Sequence, residues 1–115
     1  IPMSEVVEKG IEECTSFIME RAWAGADAVY VSWDTDSLDC SCMPGTSCPE
    51  CYGINAREAI QLARTMGRYG ANVLEIAELS PIFDASQMSM KLACNMIYHY
   101  LGSRASTLRK RGETP

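Results

Sequence analysis

Carboxylates dominate the residues of this sequence that could do chemistry. Asp34, Asp36 and Asp39 close the run Val29-Tyr30-Val31-Ser32-Trp33, and Glu78 closes the run Asn72-Val73-Leu74-Glu75-Ile76-Ala77. Asp34 and Asp36 are two apart, so on a backbone that is still extended their side chains share one side. Two carboxylates that close raise each other's pKa unless a cation lies between them. A divalent metal that takes oxygen ligands is the matching partner. Acidic residues are also common in solvated turns, so the triplet alone leaves that reading open.

The elements around these acids decide where they point. Val29, Val31 and Trp33 alternate with Tyr30 and Ser32, which predicts a strand over 28–33. Before it, Val6, Val7, Ile11, Phe17, Ile18 and Ala22 recur at helical spacing over 4–23, with Ser4 as N-cap, Gly10 a weak point and Gly25 the stop. Residues 34–55 read as a long loop broken by Pro44-Gly45, Pro49 and Gly53, and long loops in compact domains are usually functional. Asn55 caps a second helix with Ala56, Ala59, Ile60, Leu62, Ala63 and Met66 on its apolar face, ended by Gly67 or Gly70. A second strand follows over 72–78. Ser86 then caps a third helix, in which Met88, Met90, Leu92, Ala93, Met96, Ile97 and Leu101 read as core. From Gly102 the chain is polar and basic, which predicts a helix end and a frayed terminus. Helices alternating with strands predict an α/β layer with parallel strands. Function in such sheets sits at the carboxyl ends of the strands, where Asp34, Asp36 and Glu78 converge.

Composition narrows the partners. The chain has 115 residues and a net charge of −5, with no basic stripe, which excludes nucleic acid as the expected ligand. No apolar run approaches the roughly 20 residues of a membrane span, and no signal peptide is visible. Six cysteines are expected as reduced thiols in a cytoplasmic setting. Cys40, Cys42, Cys48 and Cys51 crowd one loop, and four thiolates could bind zinc tetrahedrally. A zinc-stapled binding module is therefore the non-enzyme alternative. Cys14 and Cys94 are expected in the core. The single histidine, His99, lies on the third helix, with a surface or packing role and no second histidine for a Cys-His pair.

The segment Ser32-Trp33-Asp34-Thr35-Asp36-Ser37-Leu38-Asp39, then Pro44-Gly45-Thr46-Ser47-Cys48-Pro49-Glu50, Gly53-Ile54 and Arg57-Glu58-Ala59 resembles the ureohydrolase family. Glu75-Ile76-Ala77-Glu78-Leu79-Ser80-Pro81, followed by Asp84, resembles that family's second signature. The family includes arginase, agmatinase, guanidinobutyrase and formiminoglutamase. The resemblance implies a three-layer αβα arginase-like fold, present here in part. It implies hydrolysis of a guanidino compound to urea and an amine, with two divalent metals, manganese first and nickel second, acidifying a bridging water. By position, Asp34 resembles the carboxylate shared by both metals and Asp36 a ligand of one. Glu78 resembles the carboxylate that receives the guanidinium. Asp39 resembles a residue that orients the loop, and Cys48 stands where the family commonly has threonine near the substrate.

Other family ligands come from GGDHS-like and DAHxD-like segments, and neither occurs here. The resemblance therefore implies that 1–115 is the C-terminal part of a ureohydrolase domain, inactive alone because the remaining metal ligands lie elsewhere. Arg57-Glu58 stands where family members carry a pair near subunit contacts, which implies a homo-oligomer; a solvated helix start is the alternative. Ser80-Pro81 and Pro44-Gly45-Thr46 resemble agmatinase-like members, so an agmatine-like substrate is expected. Tyr52, where glycine is usual, adds bulk that would favour a smaller one.

Overall fold

Gly10 divides the first helical segment in two. Its backbone, at φ 85° and ψ 149°, leaves the helical region, so the run expected as one helix over 4–23 becomes α1 (Met3–Lys9) and α2 (Ile11–Trp23). The computed structural model describes residues 1–113. The remaining elements are β1 (Tyr30–Asp34), α3 (Ala56–Tyr69), β2 (Val73–Ala77) and α4 (Met88–Arg111), with 3-10 turns at Thr35–Ser37 and Pro81–Phe83.

The two strands pair in parallel, from Tyr30 opposite Val73 to Asp34 opposite Ala77. Both therefore end at the same edge. Val29 and Trp33 are buried, whereas Tyr30, Ser32 and Asp34 are exposed, as are Val73 and Glu75 of the neighbour. Helices cover one face of the sheet among the described residues and leave the other open. Parallel sheets are normally covered on both faces. The αβα arrangement is thus present in part, as helix layer and sheet.

Asn55 begins α3 with a reciprocal cap. Its side chain accepts from the Arg57 and Glu58 amides, and the Glu58 carboxylate accepts from the Asn55 amide at 2.9 Å. Glu58 thus has a local structural task at the helix start. Gly70, left-handed at φ 81°, ends the helix. Gly67, the other expected stop, lies inside it and is buried against α4.

The start of α4 also departs from expectation. Gln87, at φ 58°, occupies the N-cap position in place of Ser86, and the Ser89 amide donates to Asp84 at 2.8 Å. The buried stripe of α4 is Ser89, Ala93, Met96 and Tyr100. Met88, Met90, Ile97 and Leu101 are exposed, and so is Cys94, while Cys14 is buried as expected. The spacing of the buried stripe is helical, but the expected face was turned too far toward the apolar residues around it.

The segment from Gly102 is helical to Arg111 rather than frayed. Arg104 holds it: the guanidinium donates to Gly70 O at 2.7 Å and to Ala71 O, and the Tyr100 hydroxyl donates to Ala71 O at 2.6 Å. These bonds satisfy carbonyls left over at the end of α3. Arg109, Lys110 and Arg111 then lie in the last turn, where the helix dipole favours cations. His99 is half-buried and its Nδ1 accepts from Arg64 Nε at 3.3 Å. Among the described residues no helix is long and apolar enough to cross a membrane.

Candidate metal and substrate site

β1 stops at Asp34 because the next residues turn. The Asp34 Oδ1 accepts from the Asp36 amide at 2.8 Å, and the Ser37 hydroxyl donates to Asp34 O at 2.6 Å. Asp36 therefore lies in a 3-10 turn, not on the extended backbone from which a shared side was expected. Asp34 is exposed and Asp36 half-buried.

Two buried threonines join this turn to the end of β2. Thr35 Oγ1 lies 3.0 Å from Ala77 O and 3.0 Å from Thr46 Oγ1. The Thr46 hydroxyl donates to Asp36 Oδ1, and Cys48 N donates to the same oxygen at 3.2 Å. The loop is laid along the second strand end by a bridge between Thr46 and Leu79 and by Ser80 N donating to Gly45 O at 2.8 Å.

Ser47 then stands between two carboxylates. Its hydroxyl donates to Glu78 Oε2 at 2.6 Å and lies 3.5 Å from Asp36 Oδ2. Glu78 immediately follows β2 and has φ 60°, a left-handed conformation uncommon for a residue with a side chain. Such backbone strain costs about 1–2 kcal/mol and clusters where function requires it. Asp34, Asp36 and Glu78 thus occupy the same edge of the sheet, and Asp36 and Glu78 are linked through one loop.

A second set of contacts fixes that loop from outside. Asp84, buried, accepts from the Ser86 amide at 3.0 Å and hydroxyl at 2.5 Å, and from the Ser89 hydroxyl at 2.7 Å. Ser86 and Ser89 hold its carboxyl far below the usual carboxylate range. The Ser89 hydroxyl in turn accepts from Gly45 N at 2.8 Å. A Cβ on Gly45 would lie 2.9 Å from both Asp84 Cβ and Ser89 Oγ, so this approach requires glycine.

Asp39 governs the far half of the loop. Its carboxylate accepts from Ser41 N and Oγ at 2.9 and 2.5 Å, from Tyr52 N at 2.8 Å and from Gly53 N at 3.3 Å. The Ser41 hydroxyl and amide lower its pKa first, and the Tyr52 and Gly53 amides add to them. A group with a depressed folded pKa contributes stability above its unfolded pKa and loses it as pH falls through the folded one. Amides 41, 52 and 53 should therefore stay protected at neutral pH. Their protection, taken relative to intrinsic exchange at each pH, should fall as pH drops below the ordinary aspartate range of about 4. An Asp39→Asn chain whose exchange shows the same acid loss would contradict this assignment. Tyr52 is exposed, with φ 66°, so its bulk points away from the buried part of the loop.

The four loop cysteines do not gather round one point. Cys40 and Cys51 lie 3.5 Å apart, Cys42 donates to Asp39 O at 3.2 Å, and Cys48 is exposed. Among the described residues no three histidine, cysteine, aspartate or glutamate side chains are placed to hold one ion. The spread of the four sulfurs leaves the zinc-module alternative without a preformed site, and Asp34, Asp36 and Glu78 alone are likewise short of a complete one. Sequence reasoning named the carboxylates but gave no role to Thr35, Thr46, Ser47 and Ser89, which position them. Hydroxyls are frequent in loops; burial distinguishes Thr35, Thr46 and Ser89, and Ser47, which is exposed, is distinguished only by its bond to Glu78.

The arrangement defines a class: a parallel α/β chain that gathers acidic side chains at its strand ends on a hydroxyl-braced loop. Residues 1–102 match the model of the arginase family. The chain is 34% identical over 101 residues to guanidinopropionase of Pseudomonas aeruginosa, covering 88% of this chain and 31% of that protein. It is 34% identical over 83 residues to mitochondrial agmatinase of Gallus gallus, covering 70% of this chain and 24% of that protein. The solved arginase of Bacillus subtilis superposes with a TM-score of 0.80 at 27% identity, covering 87% of this chain and 35% of that one. The chain belongs to the arginase family and carries part of its fold. It spans 31% and 24% of the length of these two curated relatives.

Proposed function

We propose that this chain is the C-terminal part of a ureohydrolase domain that hydrolyses a guanidino compound to urea and an amine. The observation that carries the reading is the placement of Asp36 and Glu78 at the ends of adjacent parallel strands, with Ser47 between them. Family membership supplies the reaction class.

The donor set suits hard divalent cations. Asp34 takes its amide bond on Oδ1, and Asp36 takes its two close bonds on Oδ1 as well, so each has a second oxygen available for a metal. Asp34 and Asp36 are the carboxylates that would hold it, manganese first and nickel second. A bound divalent pair supplies the acidity that makes water a nucleophile at neutral pH. The rest of that centre comes from residues outside this sequence, and the chain alone is expected to be inactive. Glu78 receives the guanidinium, whose planar fork matches a fixed carboxylate. Ser47 holds Glu78 in place, Thr46 and the Cys48 amide hold Asp36, and Asp39 holds the loop. The intact protein is a cytoplasmic homo-oligomer in this reading.

An agmatine-like substrate remains the first choice, supported by Ser80-Pro81 and Pro44-Gly45-Thr46 and by the agmatinase relative. The guanidinopropionase relative makes a guanidino acid the runner-up. The test is urea release by the intact protein from agmatine, guanidinobutyrate, guanidinopropionate, arginine and guanidine, with manganese or nickel supplied. Agmatine should give the highest kcat/KM. Arginine preferred over all others would overturn the substrate choice, and no urea from any would overturn the hydrolase reading.

A further inference from the structure

Cys40 and Cys51 are neighbours for reasons independent of their thiols. Cys40 N donates to Glu50 O at 2.8 Å, and Asp39 pairs with Glu50 in a parallel bridge. On the other side of Cys51, the Tyr52 amide is tied to the Asp39 carboxylate at 2.8 Å. Backbone contacts therefore fix the register of both cysteines, and their sulfurs face each other at 3.5 Å. A disulfide needs about 2.05 Å, an approach that side-chain rotation can supply when the backbones are already side by side. Cys51 is exposed and Cys40 half-buried, so a small reagent can reach the pair.

The other thiols are placed differently. Cys42 is turned toward the Asp39 and Ile54 carbonyls, Cys14 is buried under the Glu5 carbonyl, and Cys94 lies on the exposed side of α4. The residues between Cys40 and Cys51 include Thr46, Ser47 and Cys48, whose hydroxyls and amide grip Asp36 and Glu78.

We propose that Cys40 and Cys51 form a reversible disulfide clasp, made by exchange with a low-molecular-weight disulfide such as oxidised glutathione. The clasp closes a covalent ring around the loop that braces the candidate site. The Cys51 thiolate attacks the small disulfide, forming a mixed disulfide and releasing one small thiol. The Cys40 thiolate then attacks the Cys51 sulfur of that mixed disulfide and releases the second. Two protein thiols are oxidised and one small disulfide is reduced to two thiols, which take up the two protons. The assignment rests on loop geometry and stands apart from the hydrolase reading.

The test equilibrates the intact protein with excess oxidised glutathione, blocks remaining thiols with N-ethylmaleimide and cleaves after Glu50, which separates Cys51 from Cys40, Cys42 and Cys48. The two fragments should remain joined through a disulfide, in the wild-type chain and in Cys42→Ser and Cys48→Ser. Cys40→Ser should instead carry Cys51 as a glutathione adduct. Strong denaturant applied during oxidation should abolish the preference for Cys40. Amides 46–48 should exchange more slowly in the oxidised chain and recover with reduced glutathione. A cross-link that persists in Cys40→Ser, vanishes in Cys48→Ser, or forms equally in denaturant would overturn the proposal. So would unchanged exchange at 46–48.

Discussion

Changing Glu78 to Gln in the intact protein should lower kcat/KM for every guanidino substrate by about a hundredfold or more while bound metal stays unchanged. A carboxylate facing a guanidinium makes up to two charge-assisted hydrogen bonds, each worth about 1.5–3 kcal/mol, and a neutral amide keeps one acceptor. The loss should be uniform across substrates because Glu78, in the proposed site, reads only the group they share. The companion variant separates function from folding. Glu78 has φ 60°, which glycine adopts without strain, so Glu78→Gly should raise stability by up to about 1 kcal/mol while removing turnover. Urea denaturation and steady-state kinetics on both variants check this pair of outcomes. A Glu78→Gln protein with normal kcat/KM would remove Glu78 from the site.

Gly67→Ala should be the most damaging small substitution in the helical layer. A Cβ there would collide with the backbone carbonyl of Tyr100, and would lie 2.9 Å from Ser103 Cβ and 3.0 Å from Arg104 N. None of these is the free end of a flexible side chain, so α3 and α4 would have to separate. Overpacking of this kind costs about 1–3 kcal/mol, and backbone contact puts this case at the upper end. The gain in helix propensity from Gly to Ala, about 1 kcal/mol, offsets only part. The same separation would pull Arg104 and Tyr100 from the Gly70 and Ala71 carbonyls. The urea midpoint should fall accordingly, whereas Gly102→Ala, with open space around its Cβ, should raise it.

What the sequence made legible was local. The alternation of Val29, Val31 and Trp33 against Tyr30 and Ser32 places β1 and its covered face, and Asn55 marks the start of α3. The parallel pairing followed from the order of elements, and with it the common edge for Asp34 and Glu78. What stayed hidden depends on contacts between distant segments or on a single dihedral. The apolar spacing of Val6, Val7 and Ile11 continues across Gly10, so the pattern marks Gly10 as a weak point but not as a break. The basic segment after Gly102 looks like a tail until Arg104 is seen to satisfy carbonyls over 30 positions earlier. Ser47 has no signature of its own; it matters because the loop returns to β2. Asp36 lies at the expected end of β1 but in a 3-10 turn rather than on extended backbone, because the Asp34 side chain accepts from the Asp36 amide.

In the proposed site Asp34 and Asp36 hold divalent metal beside a guanidinium-binding Glu78. Metal content of the intact protein, measured by elemental analysis after manganese loading and desalting, tests it most directly. Asp34→Ala and Asp36→Ala should each lose bound manganese, and urea release should fall with it by more than about a hundredfold, the upper end of the loss seen when only an outer partner is removed. Cys40→Ser, Cys42→Ser and Cys51→Ser should keep full metal content. Metal retained in both aspartate variants but lost from the cysteine variants would contradict the account and return the loop to a thiolate site.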